Sequence, residues 1–312
     1  GNATDALTMA LMVLGIKSGD EVITSPFSFA ATTEAICLLN AVPVFVDIDP
    51  NTYLIDANKI SAAITRKTKA ILPVSLFGQC ADFDKINELA NEKKIPVIED
   101  AAQSFGATYK GRRSCSLSTL ACTSFFPSKP LGCYGDGGAC FTNDDIIAAR
   151  LKKIRVHGQA MRYQHDLLGF NSRLDTLQAA ILLEKLAIFP EEIAWRNSIA
   201  RHYAKKLGSE IKVPFIHANN TSVYAQYTIE TSQREELKAY LHMQGIPTAV
   251  HYPMPLYRQP AFQPYCHISD NLPHTEYATK HVLSLPMHAY LEKEEVDFIT
   301  NTMKEYYVAE LL

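Results

Sequence analysis

Lys129 stands where few lysines stand. It follows Phe125, Phe126 and Pro127, and it precedes Gly132, Gly135, Gly137 and Gly138. Gly and Pro at this density exclude a helix. The stretch reads as a loop between two strands, T-L-A-C-T-S-F-F before it and G-G-A-C-F-T-N after it. A lysine in such semi-apolar surroundings loses hydration, so its pKa falls and its amine becomes a usable nucleophile. The plain alternative is a surface lysine in a turn. Asp100, at the end of the apolar run Ile95–Ile98, can hydrogen-bond a protonated ring nitrogen and hold its charge, or it can cap a following helix. Ala3, Thr4 and Asp5 open the first helical pattern with backbone N–H groups, a hydroxyl and a positive dipole end, and Ser124 lies five residues before Lys129. Those are donors for a phosphate. Phe27 and Phe29 can stack on a planar ring or pack in a core. A reactive lysine, an acid for a ring nitrogen and a phosphate cup together are what pyridoxal 5′-phosphate (PLP) requires.

The elements that must position these groups follow from periodicity. Residues 4–16 carry apolar side chains at helical spacing, with Thr4 as the expected N-cap. Strands are predicted at Val42–Val46, Thr68–Ser75 and Ile95–Asp100, and helices at 56–67, Asp82–Lys93 and Asp145–Arg155. Strands alternating with helices imply an α/β fold with a large, mostly parallel sheet. Ligands on such sheets gather at the carboxyl ends of strands, where Asp100 falls. A long helix runs from Leu174 to about Leu207, with Pro190 expected to kink or break it. A strand at Tyr224–Thr231, a helix at Arg234–Gly245, an extended stretch at Thr248–Tyr252 and a tail helix at Leu291–Leu312 complete the pattern. The expected division is a large domain over 1–190 and a small C-terminal α+β domain over 191–312.

Composition narrows the function. At 312 residues and 47% hydrophobic content the chain can bury a large core. A net charge of −3 and the lack of any Lys/Arg run argue against nucleic acid as a partner. The longest apolar stretches are broken by charge, which argues against a membrane span. Seven cysteines at wide spacing, with no C-x-x-C, point to buried thiols in a reducing cytoplasm rather than to disulfides or zinc. The ten histidines show no metal-ligand spacing, so no metal is expected.

With these residues in view, the chain resembles the DegT/DnrJ/EryC1/StrS family of PLP-dependent nucleotide-sugar aminotransferases. The resemblance extends from residue 1 to the C-terminal helix. It is carried by D-E-V-I-T-S-P-F-S-F, V-F-V-D-I-D-P-N-T-Y, P-V-S-L-F-G-Q-C-A-D-F-D, V-I-E-D-A-A-Q-S-F-G-A, S-F-F-P-S-K-P-L-G-C-Y-G-D-G-G-A and N-S-R-L-D-T-L-Q-A-A-I-L. It implies fold type I, the aspartate aminotransferase-like fold of PLP-dependent transferases. It implies that Lys129 forms the Schiff base, that Asp100 pairs with the pyridinium nitrogen and that Gln103 lies near a ring substituent. Phe29 would stack on the ring. Thr4, Ser124 and the N–H of Ala3 would hold the phosphate, with Asn171 supplied by the neighbouring subunit of a homodimer. The cofactor would alternate with pyridoxamine 5′-phosphate.

The stretches Q-C-A-D-F-D, S-V-Y-A-Q-Y-T and P-T-A-V-H-Y-P-M-P-L resemble the subgroup that aminates C3 of a UDP-linked 3-keto-N-acetylglucosaminuronate, with glutamate as donor, for O-antigen sugars. There Arg173, His251 and Tyr252 would face the substrate carboxylate; Arg173 could instead pair with Asp175 or Asp166, and His251 could be a packed loop histidine. Two other readings stay open: a keto nucleotide sugar without the carboxylate, and an inactive truncated relative. The dehydratases of the same fold carry histidine where this chain has Lys129. Chains of the family begin with a helical segment ahead of this point, so the resemblance implies a piece of a longer reading frame. A second departure is Ala3, which stands where the family usually has glycine.

Overall fold

The computed structural model describes residues 1–209 and 211–309. The chain opens with α1 (Ala3–Val13), β1 (Glu21–Thr24), α2 (Ala30–Cys37), β2 (Val42–Phe45), α3 (Ala57–Ala63), β3 (Thr68–Leu72), α4 (Phe83–Lys93) and β4 (Ile98–Asp100). A small hairpin follows, β5 (Thr108–Tyr109) with β6 (Arg112–Arg113). Then come β7 (Leu120–Ser124), β8 (Gly138–Phe141), α5 (Asp145–Ile154) and a second hairpin, β9 (Gln159–Met161) with β10 (Gln164–His165). The remainder is α6 (Thr176–Leu207), β11 (Tyr227–Glu230), α7 (Arg234–Met243), β12 (His267–Ile268), α8 (Pro273–His281), β13 (Val282–Leu285) and α9 (Lys293–Ala309).

β12, β2, β1 and β3 pair in parallel in that order. Parallel bridges Ile71–Val97 and Val74–Asp100 join this sheet to β4, which pairs with β7, and β8 closes that edge antiparallel. Alternation of side chains along each strand sends successive residues to opposite faces. Val22, Ala70 and Leu72 meet Leu7 and Leu11 of α1, Ile36 of α2 and Ile154 of α5. Ile23, Val44 and Ile71 meet Ile60 of α3 and Phe83 and Ile86 of α4. Apolar residues on both faces are why these strands read as continuous hydrophobic runs rather than alternating ones. A separate core gathers Tyr203 and Leu207 of α6, Tyr227 and Ile229 of β11, Leu237 and Leu241 of α7, Leu283 and Leu285 of β13 and Met303 of α9. There β11 and β13 pair antiparallel. The fold is therefore α/β with a mostly parallel sheet.

Several local expectations change. Asn2, not Thr4, caps α1: its side-chain oxygen accepts from the N–H of Asp5 at 2.9 Å, and Thr4 lies inside the helix. Pro190 does not break α6, which runs through it for 32 residues. Each half is anchored by its own core, Leu182 and Phe189 before and around the proline and Ile199, Ala200 and Tyr203 after it. Tertiary packing thus outweighs one missing backbone hydrogen bond. The stretch 248–252, expected to be extended, makes one antiparallel bridge, Ala249 to Ser284. The last three residues of the expected tail helix lie outside the described residues. Among the described residues no helix is long and apolar enough to cross a membrane. Restoring the amide at position 190 should strengthen α6: Pro190→Ala is expected to raise the unfolding free energy by about 1–3 kcal/mol. A denaturant midpoint at or below wild type would show that the helix is strained there for another reason.

Candidate active site

Asp100 is the last residue of β4, and alternation along that short strand decides where it points. Ile98 enters the core beneath α1. Glu99 turns the other way, where its carboxylate accepts from Ser75 Oγ, Ser114 Oγ and the N–H of Cys115, each at 2.8 Å. Asp100 then faces a cavity of about 540 Å³ that also holds Lys129. No helix follows Asp100, so it is not an N-cap. Its Oδ2 accepts from Thr32 Oγ1 at 2.8 Å and its Oδ1 from the N–H of Ala102 at 3.1 Å. Burial pushes this carboxyl above its usual range, while Thr32, Ala102 and the charge of Lys129 pull it back down.

Lys129 sits in the turn between β7 and β8, its N–H bonded to the carbonyl of Phe126 at 2.8 Å. Burial pushes its amine below the ordinary lysine value, and the Asp100 carboxylate partly offsets this. The lysine is therefore not a solvated surface group. A desolvated amine facing a carboxylate across a cavity is suited to Schiff-base chemistry and proton transfer.

The start of α1 meets the same cavity through Ala3 and Thr4. Their N–H groups precede the first helical bond, Ala6 N–H to Asn2 O, and point outward with the positive end of the helix dipole. Ser124 pairs with Gly138 across β7 and β8. Gly138 in turn lies against the Asn2–Ala3 peptide, where an added Cβ would stand 2.6 Å from the carbonyl carbon of Asn2. That glycine is what lets the Ser124 strand pair and the helix start converge on one anion-binding corner.

The opposite wall is ordered by Gln103. Its Oε1 accepts from the N–H of Phe77 at 2.8 Å and its Nε2 donates to the Tyr252 hydroxyl at 2.9 Å. Phe29 remains 58% exposed at the rim, its ring 6.5 Å from that of Tyr252. The Nδ1 of His251 pairs with Ser284 Oγ at 2.9 Å, and burial together with the Lys129 charge pushes its imidazole below the ordinary value. Nine expected residues thus share this cavity: Ala3, Thr4, Phe29, Asp100, Gln103, Ser124, Lys129, His251 and Tyr252. Asn171 and Arg173 do not line it, and both are exposed. Neither alternative partner takes Arg173: Asp166 pairs with Lys153 at 2.8 Å, and Asp175 caps α6 at Leu177.

Sequence reading missed Thr32, Ser28 and Gln226. The first two stand four residues apart where α2 begins, the spacing of neighbours on one helix face, and that was the available signal. Gln226 lies in S-V-Y-A-Q-Y-T, a stretch that carried the resemblance but to which no role was assigned.

These residues fit PLP: an amine for the aldehyde, a buried carboxylate for the ring nitrogen and a donor corner for the phosphate, in one space of suitable volume. Such a set at the carboxyl ends of a mostly parallel sheet defines a PLP-dependent enzyme of fold type I. The chain belongs to the DegT/DnrJ/EryC1/StrS aminotransferase family, whose model matches residues 1–304, and it is a PLP-dependent aminotransferase. It is 58% identical to the UDP-2-acetamido-2-deoxy-3-oxo-D-glucuronate aminotransferase of Pseudomonas aeruginosa over 304 residues, covering 96% of this chain and 82% of that one. A DegT/DnrJ/EryC1/StrS aminotransferase crystal structure from Brucella abortus superposes with a TM-score of 0.95 at 43% identity, covering 98% of this chain and 84% of that one. The Bacillus subtilis NtdA structure, determined with bound pyridoxamine 5′-phosphate, matches with a TM-score of 0.90 at 33% identity over 97% of this chain and 71% of that one.

Two measurements test the geometry. Gly138→Ala should separate β8 from the start of α1 and weaken PLP binding by about tenfold, ~1.4 kcal/mol, in titrations of the apoprotein. Unchanged affinity would show that the corner does not hold the phosphate. For His251, the fold favours the neutral ring, so near the ordinary value of 6.5 the unfolded chain binds the extra proton. The stability this group contributes is therefore present above that value and lost as the pH falls through it. The drop in Tm between about pH 7 and about pH 5.5 should be smaller in His251→Gln than in wild type, and equal drops would remove His251 from that account.

Proposed function

We propose that this enzyme transfers an amino group from glutamate to C3 of a UDP-linked 3-keto-N-acetylglucosaminuronate, supplying O-antigen and lipopolysaccharide sugars, as a cytoplasmic homodimer. The observation that carries the reading is the meeting of Lys129 and Asp100 with His251 and Tyr252 in one cavity. The 58% identity to the Pseudomonas aeruginosa uronate enzyme supports the substrate class.

When bound, PLP would supply an electron sink for the carbanion at the donor's α-carbon and a carrier for the amino group between donor and acceptor. The chain's own residues do the rest. Asp100, held by Thr32 and Ala102, keeps a proton on the ring nitrogen and so strengthens the sink. Lys129 Nζ would take the proton from the donor's α-carbon, and its desolvation favours the neutral amine that this task needs. Gln103 is tied to Phe77 and to Tyr252, so Gln103 and Tyr252 would hold the cofactor ring from the side, with Phe29 available to stack on it. Ser124, Thr4 and the N–H of Ala3 hold the phosphate.

A carboxylate on the sugar needs a cation, and Arg173 suits it because a guanidinium fork binds both oxygens. Arg173 and Asn171 lie outside this chain's own cavity, so in this reading they serve the cavity of a second copy. The first half of α6, just beyond them, leaves Leu177, Leu183, Leu186 and Ile188 exposed. An apolar patch of that kind is suited to burial between subunits.

Lys129→Ala should abolish glutamate-dependent amination of the keto-uronate and the spectral change of the PLP-loaded protein with glutamate; retained turnover would refute the assignment. Arg173→Ala should cost about 3–5 kcal/mol in transition-state binding for the keto-uronate and little for the neutral keto-sugar. Equal losses in kcat/KM for both would point to a substrate without the carboxylate.

A further inference from the structure

Three buried side chains connect α2 to the end of β4. Ser28 and Thr32 are 3% and 1% exposed, and Asp100 is 4% exposed. Ser28 Oγ lies 3.0 Å from Thr32 Oγ1, and Thr32 Oγ1 donates to Asp100 Oδ2 at 2.8 Å. An ionised carboxylate only accepts, so the single hydroxyl proton of Thr32 is committed to Asp100. Thr32 then has lone pairs alone to offer, and the Ser28 hydroxyl must donate to it. The direction of the relay is set by the charge on Asp100: a protonated Asp100 would donate to Thr32 and force the pair to reverse.

The surroundings make these neutral donors important. The titratable groups around Asp100 are Lys129 across the cavity, Tyr252 at its wall, Glu99 one residue back on β4 and the thiols of Cys115 and Cys122. Among them Lys129 is the cation, and it must be uncharged before it can act as a base. A carboxylate buried this deeply stays ionised only while hydrogen bonds replace the water it has lost. The Ala102 N–H is a fixed backbone donor on Oδ1. The replaceable donor on Oδ2 is Thr32, in the first turn of α2, where the helix dipole also favours a negative charge.

We infer that Ser28 and Thr32 form a positioning relay that holds Asp100 as a carboxylate, so that the proton shared with the cofactor stays on the ring nitrogen rather than on the acid. Neither hydroxyl is a catalytic residue, since both act through Asp100. The inference rests on the assignment of Asp100 to the ring nitrogen.

The test uses the PLP-loaded protein with an isotope-labelled ring nitrogen, at saturating cofactor and near-neutral pH. The NMR resonance of that nitrogen reports whether it carries a proton. Wild type should give the protonated position and Asp100→Asn the unprotonated one. Thr32→Val keeps the shape and removes the donor, and it should move the resonance by at least about a third of that interval. Thr32→Ser should restore it. Ser28→Ala, a second route that leaves Thr32 in place, should move it less and in the same direction. A relay that merely ties α2 to β4 would lower Tm and leave the nitrogen resonance unmoved in both Thr32→Val and Ser28→Ala, and that result overturns the inference. If wild type itself shows an unprotonated nitrogen, the assignment of Asp100 falls, and the relay with it.

Discussion

A buried carboxylate without a permanent ion-pair partner is the constraint to which the site answers. Taking Asp100 out of water costs several kcal/mol unless hydrogen bonds or an opposite charge replace its hydration. In the proposed mechanism Lys129 cannot be a constant counter-ion, because a general base must be unprotonated before it acts. The fold therefore surrounds Asp100 with neutral donors, the Thr32 hydroxyl from the first turn of α2 and the Ala102 N–H just beyond β4. Its neighbour Glu99 is treated likewise, with two serine hydroxyls and one N–H. Two adjacent buried acids on one short strand need separate donor sets, and the alternation of the strand supplies them by pointing the acids to opposite sides.

That requirement explains why four elements separated in sequence end at one place. β4 delivers Asp100, the β7–β8 turn delivers Lys129, and the first turns of α1 and α2 deliver the Ala3–Thr4 donor corner and Thr32. Close approach between β8 and α1 depends on Gly138 having no side chain. Phe29 and Tyr252, with Phe27 packed behind Tyr252 and Gln103 tied between Phe77 and Tyr252, add a wall whose polar atoms already have partners. Such preorganisation is what electrostatic control of a reacting ring requires.

The second core, built on Tyr203, Tyr227 and the β11–β13 pair, reaches the site through Ser284. This serine takes the Thr228 hydroxyl on one side and His251 on the other. The position of His251 is thereby coupled to the packing of a region that holds no cofactor group of its own. The same dependence on distant packing appears in α6, which crosses Pro190 because both of its halves are buried against separate clusters.

Lys129, Asp100, Ser124 and the start of the first helix were legible in the chain itself, because loop chemistry, strand ends and helix starts are local properties written in nearby residues. The α/β order of elements was legible for the same reason, through the spacing of apolar residues. The Thr32–Asp100 bond and the Gln103–Tyr252 tie were not, since the partners lie 68 and 149 residues apart along the chain and no local period marks which hydroxyl or amide will meet which group; the Ser28–Thr32 spacing was local, but what it served depended on Asp100. Local rules also erred where a competing donor or packing contact won: Asn2 took the cap assigned to Thr4, and two cores carried α6 through its proline. Sequence alone determined which residues have the chemistry. Tertiary structure decided which of them share a cavity and what holds their charges, because burial, and with it the energy of a charge, exists only after distant segments have closed around it.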